Sequence, residues 1–251
     1  MRSGETFGGS HAFGTAREAW WTITAKRIYA RHKADTMIPR KSFAANLVLM
    51  RRLAPTRGAI VECGVWRGGM SAGMADMLPG RNHYLFDSFE GLPPARDVDG
   101  AGALAYQRNP DAPTYLDNCR AEKAFAEAAM RRSRAARYQV VKGWFNETLP
   151  SVQFAEPIAI LRLDGDWYES TLICLQYLFP KVAQGGLVVI DDYNTWDGCA
   201  RAVHDYLATN KLAERIRQTP RKIFYIHKST DGGTSPISIA RDPSNLSVPP
   251  A

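Results

Sequence analysis

From residue 59 onward the apolar positions gather into short runs of strand character: 59–63, 84–87, 138–141, 158–163 and 187–190. The stretches 69–78, 116–132, 168–179 and 196–209 carry the composition and spacing of helices. Apolar strands alternating with helices predict βαβ units, hence an α/β fold with a mostly parallel sheet covered on both faces. The alternating run 221–227 predicts a late antiparallel edge strand. Ahead of the first strand, residues 15–34 lack proline and internal glycine and predict one helix, and residues 36–53 predict a second, broken near Pro39. Residues 91–113 hold four prolines and several glycines without a period. A long irregular segment just past the second strand's carboxyl end predicts a lid. The Pro/Ser-rich end, 242–251, is expected to fray.

Hydrophobic residues at 45% and charged residues at 23% are those of a globular chain. A net charge of +7 invites a nucleic-acid or membrane partner. Its distribution argues otherwise: residues 1–57 hold 11 Lys and Arg against Glu5, Glu18 and Asp35, whereas 58–251 hold 21 against 22 acids. The chain therefore divides into a basic helical extension (1–57, a lid or oligomer contact), a main domain (58–230) and a tail (231–251). In the extension, Trp20, Trp21 and Ile28 beside Lys26, Arg27, Arg31 and Lys33 allow a membrane-surface helix, but packing on the sheet or on another subunit is the preferred reading. No run approaches the roughly 18 apolar residues of a membrane span, and Met1–Ser10 lack a signal-peptide core. Four scattered cysteines without a CxxC pair fit a reduced, cytoplasmic compartment.

In open α/β sheets ligands bind beyond the carboxyl ends of the strands. The first strand leads into VECGVWRGG (Val61–Gly69), a glycine-rich turn that is neither GxGxxG nor a Walker loop, which counts against a dinucleotide or nucleoside triphosphate. The second ends at Asp87-Ser88, where an acid can accept from ribose hydroxyls or simply cap a turn. The third leads into Gly143-Trp144-Phe145, with aromatic surface for an adenine or plain core packing. The fourth and fifth end in Asp164-Gly-Asp166 and Asp191-Asp192. Four carboxylates at two strand ends repel unless a cation joins them, and oxygen donors suit Mg²⁺; exposed loop acids are the alternative. His204 and His227 have no telling partner, and the basic run 131–137 reads as a solvated helix end.

Taken together, VECGVWRGG (61–69), LFDSFEGLP (85–93), KGWFNETLP (142–150), LRLDGDWYEST (161–171) and GGLVVIDDYNTWDG (185–198) resemble the macrocin O-methyltransferase (TylF-type) family. The resemblance implies a Rossmann-like class I methyltransferase sheet and Mg²⁺-dependent transfer of a methyl group from S-adenosylmethionine to a hydroxyl, typically of a sugar on a secondary metabolite. It implies metal ligands at Asp164, Asp191 and Asp192 and a general base at Asp166. Glu62, Gly64 and Gly68 would line the methionine end of the cofactor, with Asp87 on its ribose; Ser88, Gly143, Trp144 and Asp164 complete the expected cofactor contacts. It also implies a homo-oligomer with a glycosylated small-molecule acceptor and no nucleic-acid partner. Residues 1–40 and 94–115 match nothing in the family pattern and would shape the acceptor pocket. The rival readings are a catechol or phenol O-methyltransferase, a nicotinamide-dependent oxidoreductase, and a non-catalytic protein binding nucleic acid or lipid through its basic end.

Overall fold

The computed structural model describes residues 9–229, with side chains from residue 16 on; the expected fraying of 242–251 and the tail 231–251 lie outside the described residues. In chain order the elements are α1 (Gly9–His32), α2 (Arg40–Leu53), β1 (Ala59–Cys63), α3 (Gly69–Met77), β2 (Asn82–Asp87), α4 (Ala101–Arg108), α5 (Lys123–Arg131), β3 (Arg137–Lys142), α6 (Phe145–Thr148), β4 (Ile158–Leu163), α7 (Tyr168–Leu178), β5 (Val182–Ile190), α8 (Asp197–Thr209), β6 (Ile216–Gln218) and β7 (Phe224–His227). The strands form one sheet in the order β3-β2-β1-β4-β5-β7-β6. The first five are parallel, β7 runs antiparallel beside β5, and β6 pairs with β7 on the outside. The expected antiparallel strand is thus present. The three-residue β6 beyond it is too short to leave a pattern in the sequence.

Alternation along the central strands sorts the core into two layers. Ile60, Ile160, Leu187 and Val189 face one way and pack with Trp21, Ala25 and Ile28 of α1, Phe43, Leu47 and Met50 of α2, and Met70 and Met74 of α3. Val61, Cys63, Leu161, Leu163, Val188 and Ile190 face the other way, toward α7 and α8. On α1 the buried stripe leaves Trp20 and Ile23 exposed, and Lys26, Arg27, Arg31 and Lys33 stand in solvent. The N-terminal helices therefore form part of a layer over the sheet, the preferred sequence reading of Trp21 and Ile28.

Two segments depart from expectation. The helix expected over 116–132 occupies only Lys123–Arg131. Leu116, Asp117, Asn118 and Cys119 instead take four consecutive left-handed conformations, φ +47° to +60°. Such backbone costs about 1–2 kcal/mol per residue, and tertiary hydrogen bonds hold it. Asn118 Nδ2 donates to the Leu92 carbonyl at 2.8 Å, Leu92 N–H donates to the Asn118 carbonyl at 3.0 Å, and Gln107 Nε2 donates to Asn118 Oδ1 at 3.2 Å. The segment 91–113, expected to be irregular, contains a 3-10 turn (Asp97–Asp99) and α4. It is docked by Trp167 Nε1 donating to the Pro93 carbonyl at 2.9 Å and by Tyr168 N–H donating to buried Asp99 at 2.7 Å.

Because Leu47 is fully buried between α2 and the sheet, Leu47→Ala is expected to cost about 2–5 kcal/mol in urea unfolding. A chain beginning at residue 58 would bare Ile60, Ile160, Leu187 and Val189, and is expected to aggregate or to unfold without a cooperative transition. Wild-type stability in either variant would show that the N-terminal helices are dispensable to the core.

Candidate active site

The carboxyl ends of β1, β4 and β5 carry the next positions on the α2-facing side: Glu62, Arg162 and, just past the strand, Asp191. Register pairs Glu62 with Arg162 directly. Arg162 is fully buried. Its Nη1 donates to Glu62 Oε1 at 2.7 Å and to Asp164 Oδ2 at 2.6 Å, and Nη2 forms an ion pair with Asp191 Oδ1 at 2.5 Å. Burial opposes the charge on Arg162, but Asp164, Asp191 and Glu62 outweigh it and hold the guanidinium well above its usual pKa. Glu62 also accepts from Ser71 Oγ; burial still lifts its pKa to about 7 against the pull of Arg162 and Ser71.

Asp164, Asp191 and Asp192 each present an oxygen within 4.8 Å of the others. Burial lifts Asp191 to about 6, with Arg162 opposing and Asp164 adding. Asp192 lies well above the usual carboxylate range, through burial and then Asp166, Asp164 and Asp191, and its Oδ2 is buried without a partner. Three crowded carboxylates, one with an orphaned oxygen, fit a hard divalent cation. Asp166 stands beside them in a left-handed conformation, φ +58°. Its Oδ1 accepts from Trp196 Nε1 at 2.7 Å, and burial, then Asp164, lifts its pKa to about 8. Trp196 is itself fixed edge-on against Trp167 and Tyr106, with centroids 5.1 and 5.7 Å away.

At β1, Gly64 has φ +83°, and a Cβ there would lie 1.8 Å from the Asp164 carbonyl oxygen, so only glycine lets the ends of β1 and β4 approach this closely. At β2, Asp87 Oδ2 accepts from Val65 N–H at 2.7 Å and Trp66 N–H at 2.9 Å, and Oδ1 from Phe89 N–H at 2.7 Å. Burial raises its pKa despite these bonds. Asp87 is thus a hub for two turns before it is anything else, and a carboxylate with about four acceptor sites keeps roughly one for a ligand. Ser88 Oγ donates to the Gly91 carbonyl at 3.0 Å. Trp66 and Phe89 have φ +47° and +55°. Backbone strain of this kind gathers at ligand sites.

A cavity of about 600 Å³ joins these groups, with Glu62, Gly64, Asp87, Ser88, Trp144, Asp164, Asp166, Asp191 and Asp192 in its wall. Phe145 is half-buried, packing against the core while also lining the cavity, and Trp144 beside it stays 37% exposed. Gly68 and Gly143 are not in the cavity wall. Gly68 starts α3 where a Cβ would meet Ala126 at 2.8 Å, and Gly143 turns the chain after β3. Their observed roles are in packing and turning.

Sequence reasoning missed Arg162, Trp196 and, in the cavity wall, Ser42 and Asn46 of α2; Asp35 to Pro39 lie within the N-terminal stretch expected to shape a pocket. A charged residue inside the apolar run Ile158–Leu163, directly ahead of the acids, was the available signal for Arg162. Other expectations resolve simply. His204 Nε2 lies 2.8 Å from Tyr193 Oη, and His227 is exposed. In the basic run, Arg132 pairs with Asp35 at 2.6 Å, so that helix end is not merely solvated. The cysteines are all free thiols.

Asp166, Asp191 and Asp192 hold protons more tightly in the folded state than in the unfolded chain. Their ionisation therefore costs stability as pH rises through the folded values, about 6 for Asp191 and about 8 for Asp166. In chelator, the melting temperature is expected to fall across this range, and Mg²⁺ should restore it. Asp192→Asn should raise the metal-free midpoint by roughly 3–6 °C at alkaline pH and abolish the response to Mg²⁺. Calorimetry showing a flat profile would contradict this electrostatic account.

Residues 30–228 match the family model for macrocin-O-methyltransferase (TylF). The chain is 36% identical over 168 residues to the 8-demethyl-8-(2,3-dimethoxy-alpha-L-rhamnosyl)-tetracenomycin-C 4'-O-methyltransferase of Streptomyces olivaceus, a match spanning 64% of this chain. It is 34% identical over 170 residues, 63% of the chain, to the demethyldecarbamoylnovobiocin O-methyltransferase of Streptomyces niveus. Both matches span 62% of the relative's length. The structure of the O-methyltransferase NovP superposes with a TM-score of 0.62 at 25% identity, covering 86% of this chain and 99% of NovP. With its acid-ended strands, glycine turn and family match in agreement, the chain belongs to the macrocin O-methyltransferase (TylF) family.

Proposed function

We propose that the protein is a divalent-metal-assisted, S-adenosylmethionine-dependent O-methyltransferase acting on a sugar hydroxyl of a glycosylated secondary metabolite. One observation carries the reading: Asp166, bonded through Oδ1 but not part of the Arg162 network, stands in the same cavity as the Asp164, Asp191 and Asp192 cluster and the Gly64–Asp87 turn. The relatives' names, a rhamnosyl-tetracenomycin and a novobiocin methyltransferase, support the acceptor class.

When bound, the cation would lower the proton affinity of an acceptor hydroxyl, and S-adenosylmethionine would supply an electrophilic methyl group. Asp164, Asp191 and Asp192 would hold the cation. Trp196 fixes Asp166 Oδ1, which leaves Oδ2 to accept the hydroxyl proton; a base with raised proton affinity suits that work near neutral pH. Asp87 offers its remaining acceptor site to the ribose and Trp144 its exposed face to the adenine. Glu62, Gly64 and Ser88 shape the methionine end, and Gly68 and Gly143 act through the turns that they permit. Trp167 and Tyr106 pack edge-on against Trp196 and so brace its bond to Asp166, and Asp35 to Pro39 with Ser42 border the cavity.

Turnover with labelled S-adenosylmethionine, using sugar and phenolic acceptors side by side, tests the reading. Asp166→Asn is expected to lower kcat about 10²–10⁴-fold with little change in metal affinity, and Asp191→Ala to remove the stimulation by Mg²⁺. An unchanged kcat in Asp166→Asn would remove it as the base, and preference for the phenol would overturn the acceptor class.

A further inference from the structure

The same guanidinium that assembles the acids also limits how they can bind a cation. Arg162 Nη1 holds Asp164 Oδ2 at 2.6 Å and Nη2 faces Asp191 Oδ1 at 2.5 Å. Each of these carboxylates therefore keeps one oxygen clear of Arg162. A cation that took the second oxygen as well would be drawn against a buried positive charge that cannot move away, because Glu62 Oε1 ties Nη1 from a third side at 2.7 Å. Asp192 has no contact with Arg162, and its Oδ2 has no partner. Asp164 and Asp191 are thus confined to single-oxygen ligation, and only Asp192 is free to use both oxygens.

That count discriminates between hard cations. Ca²⁺ takes about 6–8 oxygens and favours two-oxygen carboxylates in a flexible shell; Mg²⁺ takes about six in an octahedron, using one or two carboxylates with water or substrate oxygens. Resting on the reading of Asp164, Asp191 and Asp192 as cation ligands, we propose that Arg162 is a specificity-determining residue: by occupying one oxygen each of Asp164 and Asp191, it selects a small octahedral cation of the Mg²⁺ or Mn²⁺ type against Ca²⁺. Arg162 touches neither substrate nor metal in this account. It is a positioning residue, and its effect is on the ratio of affinities.

The test is calorimetric titration of the full chain, without cofactor, with Mg²⁺, Mn²⁺ and Ca²⁺, for wild type and Arg162→Lys. A lysine keeps the charge but replaces the planar fork with a single ammonium, so it cannot hold both aspartates as Arg162 does. Wild type is expected to bind Mn²⁺ and Mg²⁺ at least tenfold more tightly than Ca²⁺. The lysine variant is expected to shift the ratio toward Ca²⁺ by about tenfold, within the range of outer-sphere effects on metal sites. A merely structural role would weaken all three cations in parallel, and that result would overturn the proposal, as would a wild type that binds Ca²⁺ equally well. If no divalent cation binds wild type while S-adenosylhomocysteine does, the metal reading itself fails and takes this inference with it. Should Arg162→Lys not fold, infrared difference spectra of wild type on adding Mg²⁺ decide. Single-oxygen carboxylate signatures support the proposal, and two-oxygen signatures from more than one carboxylate overturn it.

Discussion

A single guanidinium, sealed from water, faces carboxylates brought to it by three adjacent parallel strands. Each ion removed from water costs several kcal/mol even after relaxation, so Glu62, Asp164 and Asp191 are tolerable together only with Arg162 among them. As a source of stability such a network is close to break-even with an apolar core, and taking out one partner is what costs most. Its product is an arrangement. The gradient in proton affinity shows where its influence ends: Asp191, in contact with Arg162, rises only to about 6, whereas Asp166, beyond it, rises to about 8, and Asp192 rises well above the usual range. The groups with the strongest unmet demand for a positive charge are those that Arg162 does not reach.

Much of this was legible in the chain because its causes are local. The central strands β1, β4 and β5 are short apolar runs, and a strand buried on both faces leaves that signature regardless of its neighbours. The acids at the ends of β4 and β5 can be paired from the sequence because strand ends share one edge in such a sheet. What was not legible depends on partners far along the chain. Arg162 and Glu62 are 100 residues apart, and an arginine inside an apolar run does not announce which acids it will meet. Residues 116–119 carry helical composition, yet Leu92 and Gln107 bend them the other way through Asn118. Gly68 and Gly143 read as ligand contacts in the motifs, whereas the packing of Ala126 and the turn after β3 account for them in the fold.

The charge count has a similar resolution. Among the described residues the basic excess of the N-terminal helices is an outward face, with Lys26, Arg27, Arg31 and Lys33 in solvent, while the inward face of the same helices supplies Trp21, Phe43, Leu47 and Met50 to the core. Asp76 on α3 draws this layer together, accepting from Arg31 at 2.8 Å and the backbone of Arg134 at 3.0 Å, with His32 Nε2 at 3.0 Å. Residues that border the cavity, from Asp35 to Asn46, hang from these helices. The folding of the N-terminal region and the shape of the site are therefore one problem.

The left-handed turn at Leu116–Cys119 has a consequence for how such a protein can diversify. Cys119 borders the cavity, so a substitution at its position would reshape the cavity wall. The backbone restricts it: β-branched and bulky residues are disfavoured at positive φ, and Gly, Asn and Asp are the tolerant replacements. Mutational drift at this wall can trim or polarise the cavity but can scarcely add branched bulk to it. The loop from Thr36 to Pro39 lies on the cavity with extended or ordinary backbone at its ends and carries no such restriction. Changes in the shape of the cavity should therefore be recorded in the N-terminal loop, with the turn at 116–119 remaining a fixed boundary of it.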